Sequence, residues 1–426
     1  MLKRIDIADL ELGMFVHKLE GSWFKHPFWR SKFVLDDQDT LDELQASEVP
    51  AVIIDTERGI DLRPTRIERV TQAAANGGVA VQEPPLRRGL RTQRVAAAPR
   101  SEDVALTSTV PLSQAREFGH ANRVVDRSRK VISKVFLEAR LGKTIRAETI
   151  EPVVEEIFAS VQRNPHAFNG LMRCKRDLEY VYRHALAVSA LMVSLGRQMK
   201  LSPADQRLAG MAGLMLDMGV SYLPVDLEST GGDFRRIDER IFREHARLGH
   251  DQLLASGVPE PVALACLEHH ERIDGTGYPH GLTGERISLF GRMAAICDTY
   301  DWLVNDAQDQ MGLDPSAAMQ QLTLLDGAFD RDLLASFIDA LGVYPIGSVV
   351  ELASGRLALV VSQDEADPAK PRVKTFYSLT ERRIVPTTEI LLARCYGEDR
   401  IIAAANPDAL GGIDFPAIRE KLFASA

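Results

Sequence analysis

Two adjacent histidines, His269 and His270, open the run HHERIDGTGYP, in which an acidic, glycine-rich turn leads to Tyr278-Pro279. The chain holds only ten histidines, so two side by side ask for a chemical use. Others recur at inward-facing positions. In DLEYVYRHALAVSALMVSLGRQ, the residues Val181, His184, Ala185, Val188, Leu191 and Leu195 follow three-and-four spacing, which turns His184 toward a core. His245 lies between Ile241 and Leu248 on an apolar face, and His269 follows Val262 and Cys266 in the same manner. Two carboxylates interrupt apolar runs, Asp217 in AGLMLDMG and Asp298 in RMAAICDTYDWL.

A buried carboxylate without a partner is costly, and so is a cluster of imidazoles in a helical core. A metal ion removes both costs together. Imidazole and carboxylate donors suit Fe, Mn, Ni or Zn without choosing among them, and facing helices are a known way to hold such ions. A single buried histidine is usually a satisfied core residue, and it is the recurrence of the pattern that brings a metal site level with that reading, so spacing alone leaves both open.

The elements that must position these groups are mainly helical. Helical periodicity runs from about Arg116 to Leu341. Its best-punctuated helix starts at LSPADQRL, with Ser202 as N-cap, Pro203 at the first helical position and Asp205 closing a capping box; it is expected to stop near Gly219. Residues 1–75 alternate the apolar runs MFVHKL, KFVL and AVIID with the helical DTLDELQAS, which predicts a small α/β domain. Within it Trp23, Phe24, Phe28 and Trp29 flank His26-Pro27 and read as an aromatic mini-core under a turn. Residues 76–115, rich in Pro, Ala, Arg and Ser, read as a flexible linker. Residues 342–426 carry short β-type runs split by Gly and Asp/Pro turns, a β-rich extension.

Composition narrows the function class. The 426-residue chain is 45% apolar, with no apolar run near the roughly 18–20 residues of a membrane span and no secretory block at its start, so a cytoplasmic protein is expected. A formal charge of -9 argues against binding long nucleic acid, whose affinity rests on excess Lys and Arg. Cys174, Cys266, Cys297 and Cys395 are single and set among apolar residues, which reads as reduced, packed thiols.

The run HHERIDGTGYP, with His184, Asp217 and His245 upstream and AICDTYDWL downstream, resembles the HD-GYP family, a branch of the HD phosphohydrolases. LELGMFV and GSWFKHPFW resemble the N-terminal domain of unknown function that often precedes it. The resemblance implies a mainly α fold, an HD-type helical bundle over residues 116–341, and metal-dependent hydrolysis of cyclic di-GMP at an iron or manganese centre. Carried over residue by residue, His184, Asp217, His245, His269, His270 and Asp298 are the metal ligands, with Asp217 bridging and catalytic. Asp274, Gly275, Gly277, Tyr278 and Pro279 form the loop that meets substrate or a GGDEF-type diguanylate cyclase. The resemblance also admits a homodimer.

The family pattern places a metal-binding histidine before the aspartate and a lysine three residues after it, where this chain has Leu216 and Val220. Ala307 and Gln310 stand where the family carries basic residues, and Tyr180 stands where members with three metals carry a glutamate. One tightly bound divalent ion, or two, is therefore expected. Three readings follow: an impaired member acting as nucleotide or metal receptor and scaffold, an active cyclic di-GMP phosphodiesterase, or a phosphohydrolase of another nucleotide.

Overall fold

The computed structural model describes residues 2–20, 33–35, 38–45, 51–60, 106–175, 179–225, 230, 233–305, 312–325, 327–364, 367–395, 399–406, 410 and 413–424. The chain divides into two compact units, residues 1–101 and 102–426. Among the described residues, no helix is long and apolar enough to cross a membrane. The aromatic run around His26-Pro27, positions 307 and 310, residues 61–75 of the expected N-terminal domain and residues 76–105 of the expected linker lie outside the described residues.

In the first unit β1 (Leu2–Asp6), β2 (Phe15–Glu20), β3 (Phe33–Val34) and β4 (Ala51–Asp55) form an antiparallel sheet in the order β1-β4-β2-β3, with α1 (Gln38–Gln45) beside it. Alternation sends Ile5, Val16, Val52 and Ile54 into one core with Leu35 and Leu41. The runs MFVHKL, KFVL and AVIID each supply a strand as expected; β1 has no counterpart in the sequence reading.

The second unit begins with packed chain. Residues 106–113 belong to the stretch read as linker, yet Leu106 is fully buried and its carbonyl accepts from Arg163. Arg163 closes α3 (Ala147–Arg163) and forms a buried ion pair with Glu117 of α2 (Gln114–Arg140), while its Nη1 donates to the carbonyls of Leu106 and Ser108 at 2.6 Å. Ser160 donates to the same carboxylate at 2.6 Å, so both charges are hydrogen-bonded where they are desolvated.

After α4 (Ala167–Met172), α5 (Tyr180–Gln198) is buried on all sides, as suits a central helix. The next helix, α6 (Pro203–Met215), crosses it closely. A Cβ at Gly213 would lie 2.7 Å from the Cα of Ser189, so only glycine permits this approach. Ser202 caps α6 by accepting from Asp205 N at 3.1 Å, and Asp205 takes the Ser202 hydroxyl at 2.7 Å, a side-chain pair in place of the expected reciprocal backbone bond. The helix also stops sooner than expected, at Met215, and the chain turns through Leu216 and Asp217 into a 3-10 turn over Met218–Tyr222.

Among the described residues, six further helices belong to the bundle: α7 (Glu239–Phe242), α8 (Glu244–Ala255), α9 (Glu260–Glu268), α10 (Leu289–Val304), α11 (Pro315–Leu324) and α12 (Arg331–Leu341). Gly342, with φ of +85°, ends α12. Beyond it β5 (Val349–Leu352), β6 (Arg356–Ser362), β7 (Arg372–Ser378), β8 (Arg383–Ile384), β9 (Glu389–Leu391) and β10 (Ile401–Ala404) build a second antiparallel sheet. It carries a helix that the β-type reading missed, α13 (Phe415–Ala424). Phe423 of α13 stacks on Phe118 of α2 at 5.7 Å, which joins the core of this sheet to the helices.

Candidate metal centre

His184, buried on the second turn of α5, is fixed from three directions. Its Nδ1 lies 2.8 Å from Asp301 Oδ2, and Asn305 Nδ2 donates to that same oxygen at 2.6 Å. Its Nε2 lies 3.1 Å from both Asp217 Oδ2 and Asp298 Oδ1. The ring stacks on Tyr180, one turn earlier, at 5.5 Å. Burial alone would lower the affinity of this imidazole for a proton, yet Tyr180 and the three carboxylates raise its pKa well above the ordinary value.

Asp217 reaches in two directions because it sits in the turn that ends α6. Its other oxygen, Oδ1, is 3.3 Å from His245 Nε2 and 3.9 Å from His269 Nε2. His245 comes from the first turn of α8 and His269 from the C-terminal end of α9. Each points its Nδ1 at a backbone carbonyl, His245 at Phe242 O at 2.5 Å and His269 at Cys266 O at 2.7 Å. A carbonyl only accepts, so both Nδ1 atoms carry hydrogen, and each ring in its neutral form presents a lone pair at Nε2. Those two Nε2 atoms face each other at 3.2 Å, with the Asp217 carboxylate beside them. Electron pairs this close repel unless positive charge lies among them.

His270 supplies a further donor. Its Nε2 is buried and has no hydrogen-bond partner, its Nδ1 lies 4.0 Å from Asp298 Oδ2, and its ring stacks on Tyr278 at 4.6 Å. Donor atoms of His245, His269 and His270 all lie within 4.8 Å of one another. Burial pushes His269 down in pKa and His270 well down, and in each case a neighbouring imidazole adds to the shift. Burial would raise Asp217, but His184 and His245 hold it well below the carboxylate range. An orphaned imidazole nitrogen, facing lone pairs and a bridging carboxylate together match the donor chemistry of a divalent transition-metal site. His245, His269, His270 and Asp217 would hold one ion; His184, Asp217 and Asp298 offer a second position with fewer imidazoles.

The substitution of His270 by alanine is expected to lower bound metal about as much as His245→Ala does. Metal analysis of the two purified variants checks this, and an unchanged content in the His270 variant would leave that ring as a stacking partner of Tyr278 only.

Backbone packing sets these distances. A Cβ on Gly219 would lie 1.8 Å from the His245 carbonyl oxygen, and one on Gly249 would lie 2.7 Å from Cys266 Sγ. The turn after Asp217 therefore rests directly on α8, and α8 on α9. Cys266 donates its thiol to Leu216 O at 3.0 Å, and burial keeps that thiol protonated. Leu216 and Val220, on either side of Asp217, are both buried, at 1% and 0% exposure.

The loop residues are placed more loosely around the cluster. Tyr278 N donates to His270 O, and Arg243 lies 4.6 Å from the Tyr278 ring, so this tyrosine is the loop's contact with the ligands. Gly277 has no room for a Cβ, which would meet the backbone of Glu271 and Arg272 at 2.4 Å. Gly275 has φ of +83°, and Asp274 accepts from Thr276 N and Oγ1. Asp274 and Pro279 are exposed and lie outside the ligand cluster. Glu271 shapes the loop by accepting from the N–H groups of His280 and Leu282, a role the sequence does not suggest. Asp301 also escapes the sequence reading. Its signal is the three-residue offset from Asp298, which puts both carboxylates on one face of α10.

Residues 2–150 match a domain of unknown function, DUF3391, and residues 160–333 match an HD domain. The cyclic di-GMP phosphodiesterase PA4108 of Pseudomonas aeruginosa is 37% identical over 404 residues, covering 94% of this chain and 92% of that protein. The cyclic di-GMP phosphodiesterase PdeB of Borreliella burgdorferi is 24% identical over 216 residues, 50% of this chain and 56% of that one. A 3'3'-cGAMP-specific phosphodiesterase 3 of Vibrio cholerae is 27% identical over 181 residues, 42% of this chain and 39% of its own. Likeness to the Pseudomonas protein along nearly the whole of both chains carries the family with it, and this chain belongs to the HD-GYP family of HD-domain proteins.

Proposed function

We propose that this protein binds cyclic di-GMP at a site holding one tightly bound divalent metal ion, iron or manganese, and hydrolyses it slowly or not at all. The observation that carries the reading is the contrast within one turn. Asp217 meets the donor atoms of His184 and His245, whereas its neighbours Leu216 and Val220 are buried and apolar. An ion at His245, His269, His270 and Asp217 would neutralise a phosphodiester and lower the pKa of water.

The protein's own groups account for binding better than for turnover. Asp301 and Asn305 lock the orientation of His184, and the two backbone carbonyls fix the tautomers of His245 and His269. Leu216 offers no donor to a second ion, and Val220 offers no cation to the charge that develops at phosphorus. The exposed turn at Asp274 and Pro279 supports docking of a GGDEF-type diguanylate cyclase as readily as it supports catalysis. The reading includes the cytoplasm as the compartment, because its ligand is an intracellular messenger. It also includes a four-part chain: an N-terminal domain over 1–75, a linker that gives way to packed chain at Leu106, a helical domain reaching to Leu341 and a C-terminal extension over 342–426.

A second reading, an active phosphodiesterase, is favoured by the name of the Pseudomonas relative. Metal analysis beside a hydrolysis assay separates the two. After extensive dialysis the protein is expected to keep fewer than two metal equivalents per chain and to bind cyclic di-GMP with little turnover. Two full equivalents with brisk hydrolysis would replace the first reading by the second.

A further inference from the structure

Trp302 is 52% exposed, although a large aromatic ring is usually well covered. Its place on α10 gives that exposure a meaning. It follows Asp298 by four residues, so the two share a face of the helix and their Cα atoms are about 6 Å apart along the axis. Asp298 points into the His/Asp cluster, 3.1 Å from His184 Nε2. Trp302 therefore stands one turn from the site on the same stripe, with about half of its surface uncovered.

Two guanidinium groups reach the same helix near that stripe. Arg272 donates to Thr299 Oγ1 at 3.1 Å, one residue past Asp298, and Arg235 donates to the carbonyl of Asn305, one turn past Asp301, at 3.3 Å. Arg235 is ion-paired with Asp233 and lies 4.2 Å from the Tyr180 ring, so it is held in place. The composition of the stripe is that of a nucleotide subsite: a carboxylate at the cluster, arginines beside it and a flat indole one turn away.

We propose that Trp302 is the platform on which one purine base of the ligand stacks while the phosphodiester lies at the His/Asp cluster. The inference rests on the reading of the site as a cyclic dinucleotide site and adds which side chain receives the base. The offset of one helical turn is comparable with the span of the ribose that separates a base from its phosphate. Stacking accepts any purine, so Trp302 contributes affinity for cyclic di-GMP without telling guanine from adenine.

The test uses the full chain with its metal. The chain has three tryptophans, so replacing Trp23 and Trp29 by phenylalanine leaves Trp302 as the reporter. Titrating cyclic di-GMP into that protein should quench its fluorescence saturably. In the otherwise native chain, Trp302→Ala should weaken binding measured by calorimetry about ten- to hundredfold, and Trp302→Phe should recover most of the loss. Metal content should be the same in both variants, which separates a lost platform from a damaged centre. Unchanged affinity in Trp302→Ala would overturn the inference while leaving the site reading intact. Absence of cyclic di-GMP binding by the unaltered protein would overturn the site reading and the inference with it.

Discussion

Restoring Leu216→His together with Val220→Lys is expected to raise metal occupancy and cyclic di-GMP hydrolysis at the same time, with turnover rising about a hundredfold or more. Removing one preorganised group that meets developing charge costs on the order of 10²–10³ in rate, and on the reading proposed above one short turn carries Leu216 and Val220 in place of a ligand and a cation. Both positions flank Asp217, which already bridges toward His184 and His245, so the restored groups would enter a site whose other donors are in place. Either change alone should recover little, because groups that act as a unit are not additive. The double variant should also unfold at lower denaturant concentration when metal is stripped, since a histidine and a lysine would replace two buried apolar side chains without a partner charge. Steady-state hydrolysis, metal analysis and urea unfolding of the four proteins check the set. A native chain that already turns over cyclic di-GMP at a rate the double variant cannot improve would refute it.

The second large effect is expected at a residue that touches no ligand through a side chain. Gly219→Ala should destabilise the protein by about 3 kcal/mol or more and lower its metal content, because the new methyl group would sit 1.8 Å from the His245 carbonyl oxygen. No flexible side-chain end is there to swing aside. The obstruction is backbone, and relief requires α8 to move off the turn after Asp217. His245 would then leave Asp217 and His269, so the same substitution should reach the metal. Gly119→Ala provides the contrast. Gly119 lies in α2, where an added methyl group would meet nothing within 4 Å, and alanine there should stabilise by up to about 1 kcal/mol. Thermal or denaturant unfolding of the two variants should move in opposite directions.

Much of the centre is legible in the sequence because helix periodicity is a strong signal when a polar residue interrupts it. Three-and-four spacing turns His184, His245 and His269 inward, and all three are buried and meet at Asp217. The start of α6 is legible for a local reason, since Ser202 and Pro203 determine their own backbone. Its end is not. The helix gives way at Met215, four residues before the glycine expected to stop it, because Gly219 serves the contact with His245 and not the helix terminus. The carbonyls of Phe242 and Cys266 leave no trace in residue type, since any residue has a carbonyl, and only the fold selects which ones face a ring. The helix α13 is obscured because the short β-type runs before it dominate that end of the chain.

The two histidines held by those carbonyls, together with His270, have a consequence for which ion the proposed centre would take up. Three imidazoles and a carboxylate bind later first-row metals more strongly than earlier ones, with copper and zinc ahead of iron and manganese. A centre of this kind takes what its surroundings offer while the chain is folding. On the proposed reading its occupant inside a cell would be governed by the pool of free ions and the moment of loading, and the ion carried by recombinant material would record the growth medium.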